Sequence, residues 1–128
     1  MAYKRKLSVV GPLAGVLVGV IAGVHFQQYI DFMSKVPTVG VLFLLNAVGG
    51  AGLAFALLSR DRPLRVLASV GSIGLAIGSL VCIIIALTGS FFGYQEPTLR
   101  LPIVIAIVAE ALAIPVLLAL MARAPGRA

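Results

Sequence analysis

Four stretches of this chain run with almost no charge: Leu7–Val24, Pro37–Leu58, Val66–Phe92 and Leu101–Ala122. Each holds about 18–27 residues, the length a helix needs to cross a hydrocarbon layer of about 30 Å. Charged residues collect in the short connections between them. The pattern predicts an all-α, integral membrane four-helix bundle running up-down-up-down as a single transmembrane domain over residues 1–128. The third stretch exceeds the required length, so it is expected to tilt or protrude. Pro37, Pro63 and Pro102 fall where first-turn prolines are tolerated, and Thr98 is a candidate N-cap for the last span.

The connection from His25 to Val36 carries its own periodicity. Phe26, Tyr29, Ile30 and Met33 recur at i, i+3, i+4 and i+7, which predicts an extension of the first helix along the membrane interface. Asp31 and Lys35 have the spacing of an i,i+4 ion pair. Phe91, Phe92 and Tyr94 stand at the same level and complete part of an aromatic belt.

The first span also contains Gly11, Gly15, Gly19 and Gly23 at successive i+4 positions. Each step turns about 40° around a helix of 3.6 residues per turn, so the row winds as a groove. Such small-residue grooves admit a second backbone. Two readings follow: packing within the bundle itself, or docking of another subunit or a second copy. Gly50–Ala54, Gly52–Ala56 and Gly74–Gly78–Cys82 are similar rows in the second and third spans.

Composition sharpens this picture. The apolar fraction is 61% and the mean hydropathy +1.15, beyond the range of soluble domains. A net charge of +6 would raise the question of nucleic acid, but the placement of the charges answers it. Lys4, Arg5 and Lys6 precede the first span; Arg60, Arg62 and Arg65 lie between the second and third; Arg123 and Arg127 follow the fourth. Lys35 and Arg100 alone occupy the other connections. This asymmetry predicts cytoplasmic termini, attraction to anionic headgroups, and no nucleic-acid partner. A bacterial cytoplasmic membrane is the expected location. The basic start and apolar first span resemble a signal peptide, but without a convincing cleavage site the segment reads as a retained helix.

Within the spans Glu110 is the sole acidic residue. An ionisable group at that depth is a functional-site hypothesis by default. Glu110 and Asn46 each lie nine residues into a span entered from the outer side, about 14 Å along the helix. Ser79, thirteen residues in from the other side, reaches similar depth. A Glu110–Asn46–Ser79 cluster is therefore expected, with the Asn46 oxygen available to a protonated Glu110. Arg100 is about 15 Å up the same helix, too far to neutralise it. Pro115 removes an intrahelical donor nearby and is expected to kink the helix. The cluster reads either as a register-fixing hydrogen bond, a proton- or cation-linked site, or a contact with a partner subunit.

His25, at the expected outer edge, could meet Asp31 and Glu96 there. No metal and no cofactor is expected: one histidine cannot supply a bis-histidine haem, and zinc-ligand spacing is lacking. Cys82 is the only cysteine, which excludes an internal disulfide. No nucleophile–base pair, phosphate loop or redox motif is apparent, so no enzymatic activity is expected.

His25-x3-Tyr29 followed by Pro37-Thr-Val-Gly-Val-Leu-Phe-Leu-Leu-Asn46 resembles small four-span membrane proteins of actinobacteria with no assigned activity. Gly93-Tyr-Gln-Glu96 echoes them more weakly. The resemblance implies a cytoplasmic-membrane location and no mechanism. Small multidrug transporters also pair four spans with one membrane glutamate, but theirs is in the first span. Phe43-Leu-Leu-Asn46-Ala-Val-Gly49 is similar to the asparagine-bearing second span of fluoride channels, whose third span carries a phenylalanine that Val66–Thr88 lacks. The leading expectation is an accessory or assembly subunit of a larger membrane complex, contacting lipid and either other subunits or itself through the first span. The rival is a small oligomeric transporter or channel with Glu110 as its coupling carboxylate.

Overall fold

The computed structural model describes the backbone of residues 2–122 and the side chains of residues 9–122. The side chains of Lys4, Arg5 and Lys6, and all of Arg123 and Arg127, lie outside the described residues. Four helices account for nearly all of the described chain: α1 (Ala2–Asp31), α2 (Val39–Leu57), α3 (Arg62–Thr88) and α4 (Leu101–Met121), with a short 3-10 turn at Met33–Lys35. The stretches Val9–Asp31, Val39–Leu57, Arg62–Thr88 and Leu101–Met121 are each long and apolar enough to cross a membrane. Helix α1 packs against α2 and α4, and α3 packs against the same two. This closed ring of contacts is compatible with a four-helix bundle.

Every helix turns a stripe of 3.5-residue spacing inward. On α1 the buried positions Ala14, Val18, Ile21, His25 and Gln28 alternate steps of four and three. On α4 Ile103, Glu110, Ala113, Leu117 and Leu120 share one such register. On α3 Ser69, Ser72, Ala76 and Ala86 do the same, as do Val39, Asn46, Gly50 and Leu57 on α2. This is the seam that keeps one face of a helix against its neighbours along its whole length. Most large apolar residues point outward, Val48, Phe55, Leu67 and Val70 among them.

The same inversion holds in the first connection. Helix α1 continues past Val24 to Asp31, the extension expected there, and of the apolar set Met33 is buried in the 3-10 turn. Phe26 and Ile30 are 50% and 59% exposed, while His25 and Gln28 are buried. In water, apolar periodicity marks the inside; in a lipid-exposed helix, polar groups seek the interior where partners exist. Asp31 accepts from the Gln27 side chain (3.0 Å). No Asp31–Lys35 ion pair forms among the described residues.

The ends follow local chemistry. Helix α3 starts four residues earlier than Val66 because Asp61 caps it, accepting from the Leu64 amide at 3.1 Å, with Pro63 in the first turn. It stops at Thr88, before Phe92. Phe92 and Gly93 both take positive φ, 49° and 80°, and turn the chain so that Phe91 and Tyr94 exchange backbone hydrogen bonds of 2.8 and 2.9 Å. Helix α4 begins at Pro102's turn with Arg100 as N-cap, not Thr98. At the start of α2, Gly40 lies so close to the Met33 carbonyl that a Cβ there would collide with it.

The glycine row of α1 does not pack as a unit within the described residues. Only Gly15 is in contact, its Cβ position 3.1 Å from Leu58 and 3.5 Å from the Ala54 carbonyl. Gly11, Gly19 and Gly23 face no neighbour within 4 Å. A row at i+4 drifts off a seam spaced at 3.5 residues, which is why one glycine touches α2 and the others do not. An open apolar groove between α1 and α2 is lined by Gly19, Gly23, Val48, Ala51 and Phe55.

Candidate functional site

A cavity of about 370 Å³ lies among the four helices, and the polar interior residues converge on it: His25 and Gln28 from α1, Asn46 from α2, Ser79 and Cys82 from α3, Glu110 from α4. Glu96 and Arg100, from the α3–α4 connection, line its far end. The remaining wall is mostly apolar, including Leu42, Phe43, Leu75, Ile83 and Ile107. Gly74 and Gly78 also line it, and neither has a neighbour within 4 Å of its Cβ position. Space exists at those two positions because the glycines of α3 carry no side chain there.

Glu110 is 2% exposed and faces His25, whose Nε2 stands 4.0 Å from Glu110 Oε1. This placement departs from the expected one. His25 is not an outer-edge residue, because α1 runs six residues beyond it and carries it about 9 Å inside the helix end. It approaches neither Asp31 nor Glu96 as a partner, so the trio His25, Asp31 and Glu96 does not form one group. His25 Nδ1 lies 2.8 Å from the Ile21 carbonyl oxygen. A carbonyl only accepts, so Nδ1 carries a proton, and Nε2 is the nitrogen left to accept from, or donate to, whatever occupies the Glu110 side. At 4.0 Å the two groups are not hydrogen-bonded. They are close enough for one proton and a small shift to couple them.

Glu110, Asn46 and Ser79 line the same cavity, the grouping that depth counting along the helices anticipates. Asn46 Nδ2 donates to Ser79 Oγ at 2.7 Å, tying α2 to α3. The anticipated Asn46–Glu110 hydrogen bond is not among the contacts. Instead Asn46 Oδ1 is buried with no partner, and the same is true of Ser72 Oγ. An unpaired buried acceptor costs about 1–3 kcal/mol, so its persistence beside a cavity points to a ligand or a water.

The far end is a closed polar network that sequence reasoning did not assemble. Glu96 is 3% exposed. It accepts from Arg100 Nε (2.9 Å) and Nη2 (3.3 Å) and from the Tyr94 hydroxyl, and its amide donates to the Ala86 carbonyl (2.8 Å). Arg100 Nη1 donates to Gln28 Oε1 at 3.0 Å, joining the network to α1. The guanidinium also lies 5.7 Å from the Phe32 ring centroid, within cation–π range. Burial, reinforced by the hydrogen bond to Glu96, pushes the Tyr94 phenol up to about 12. The Glu96 contact likewise raises Arg100 above the ordinary guanidinium value. The i,i+4 spacing of Glu96 and Arg100 was the one available signal; Gln28, seventy-two residues away, offered none.

Among the described residues, no group of three His, Cys, Asp or Glu side chains stands close enough to hold a metal ion. The polar groups divide cleanly: a self-satisfied network at one end, and at the other Glu110, His25 Nε2 and Asn46 Oδ1 with capacity to spare. No protein-family model, curated protein or solved structure matches this chain.

Proposed function

We propose that this is a small, non-enzymatic, multi-pass membrane protein that carries a small solute through its bundle cavity, with Glu110 as the coupling carboxylate. It sits in a bacterial cytoplasmic membrane as an up-down-up-down bundle with both termini cytoplasmic. The unequal distribution of basic residues, eight against two, supports that orientation. The observation that carries the functional reading is the His25–Glu110 pair facing each other inside a cavity bounded by all four helices. A purely structural bundle gains nothing from an open space beside a buried carboxyl. A carrier needs both, because binding at mid-depth and a change of protonation are what couple a solute to a proton.

Cys82 supplies the test, since it lines the cavity and is the sole cysteine. In proteoliposomes, a membrane-impermeant thiosulfonate added from one side and then the other reports water access to the site. The expected result is reaction from both sides in the wild type, reaction lost in Gly78→Leu, and a changed side preference in Glu110→Gln. Folded protein that is inert from both sides refutes the carrier reading.

A second reading, the accessory or assembly subunit, is favoured by the open groove between α1 and α2, where the Cβ positions of Gly19 and Gly23 meet nothing within 4 Å among the described residues. A foreign membrane protein that copurifies in fixed ratio, and is lost in Gly19→Leu, supports it. Purification as this chain alone counts against it.

A further inference from the structure

We infer that the cavity takes a lipophilic amine: a small apolar body carrying one ammonium or amine head with N–H groups directed at Glu110, Asn46 and His25. The inference rests on the carrier reading above and names the chemistry of its solute. It comes from hydrogen-bonding capacity left over in the cavity wall. Three acceptors remain open there. Glu110 has two carboxylate oxygens, about four acceptor sites, and the Ser79 hydroxyl is the one side-chain donor directed at them among the described residues. Asn46 is more than nine-tenths buried, and its Oδ1 has no partner. His25 donates through Nδ1 to the Ile21 carbonyl, so the neutral ring presents Nε2 as an acceptor.

Donors are scarce on the same wall. Asn46 Nδ2 is engaged by Ser79, Gln28 Nε2 is directed at Gln27 Oε1 (3.3 Å), and Arg100 is held by Glu96 and Gln28. The Ser79 hydroxyl hydrogen is directed at Glu110, which leaves the Cys82 thiol. A ligand rich in acceptors, such as a carboxylate or phosphate, would bring more lone pairs to a site that already has them unpaired. One bearing N–H donors completes it.

Charge points the same way. Arg100 cannot serve an anion, since Glu96 neutralises it within the network. Around Glu110, α1 contributes His25, α2 the uncharged Asn46, and α3 Ser79 and Cys82. No fixed cation faces it. Phe43 stands 5.0 Å from the His25 ring, and Phe91 and Tyr94 complete an aromatic lining suited to an ammonium. The volume, about 370 Å³, falls within the range of small-molecule sites. Loading a protonated amine onto protonated Glu110 drives the carboxyl proton to water and leaves a carboxylate paired with the ammonium, so one proton leaves as one cation enters. Acid therefore competes with the ligand.

The test uses the full chain in nanodiscs and four probes of nearly equal shape: 2-phenylethylamine, its N-trimethyl derivative, 2-phenylethanol and 3-phenylpropionate. Binding is read by calorimetry and by protection of Cys82 from alkylation. The expected order puts the primary amine at least tenfold ahead of each other probe, with affinity falling as pH is lowered and reduced at least tenfold in Glu110→Gln. Equal or tighter binding of the alcohol, the carboxylate or the trimethyl probe overturns the inference, as does no binding of the amine. This comparison needs no variant, so poor folding of Glu110→Gln leaves it decisive. Two-sided Cys82 labelling with no amine preference sinks the ligand class and leaves the carrier; absence of labelling sinks the carrier itself.

Discussion

The two ends of this bundle are built on the same inward stripes and behave oppositely. At one end Ala14, Val18, Leu57, Ala68, Ala113, Leu117 and Leu120 close into a continuous core. At the other, the stripe positions are taken by His25, Asn46, Ser79 and Glu110, and a cavity opens. The closed end is built around Ala14, Ala68 and Ala113, small residues that let backbones approach. The open end cannot pack that way, and hydrogen bonds across helices take over: Asn46 to Ser79 and Arg100 to Gln28. Close packing resists any added atom, whereas a hydrogen-bonded wall resists loss of a partner.

Removing Arg100 is the severest way to probe the open end. Arg100→Met leaves the Glu96 carboxylate buried with the Tyr94 hydroxyl as its remaining side-chain donor. Breaking a wholly buried pair costs about 3–5 kcal/mol. The Arg100 side chain is 35% exposed, which lowers the expectation to about 2–3 kcal/mol. Reversible unfolding in mixed micelles measures it, and adding Glu96→Gln is expected to restore most of the loss. If the double variant is no better than the single, the network is not held by charge.

Size substitutions address the contrast directly. Ala113, fully buried in the closed core, is expected to lose about 1–3 kcal/mol as Ala113→Leu through overpacking. Gly78→Leu adds more atoms yet meets open space, so its stability is expected to stay within about 0.5 kcal/mol of wild type. A comparable loss at both positions would mean that the cavity does not persist in the membrane. A smaller effect is expected from a double-mutant cycle of Asn46→Ala and Ser79→Ala, with a coupling of about 0.6 kcal/mol, up to about 1.7. Zero coupling would detach α2 from α3 at that point.

The mildest test is alkaline titration. Tyr94, raised to about 12, keeps its proton in the folded protein after an ordinary phenol near 10 has lost its own. The unfolded state then binds fewer protons, so stability declines as pH rises from about 10 to 12. The absorbance difference between wild type and Tyr94→Phe near 295 nm is expected to titrate late, and Glu96→Gln to move it back toward 10. An unshifted phenol breaks the link between Tyr94 and the network.

The helices were legible because apolar length is a strong signal; each span agrees with its helix to within a few residues except at α1, which continues seven residues past Val24. Depth counting also brought Asn46, Ser79 and Glu110 to one level, since helix rise is uniform. Facing was harder. His25, assigned to an edge by a helix ended too early, proved to face Glu110. The Glu96–Arg100–Gln28 network depends on a turn at positive φ and on contact between distant segments, neither of which a single span reveals.

Gly40 has a mechanical consequence. With no room for a side chain between it and the Met33 carbonyl, and with its amide bonded to Val36, the exit of α1 and the entry of α2 are fastened into one lever. Widening of the cavity at that end therefore cannot come from parting α1 from α2 there, and has to come from α3 or α4 moving against them. Among the described residues, two side-chain hydrogen bonds latch α1 and α2 to the other side of the cavity, Asn46 to Ser79 and Arg100 to Gln28.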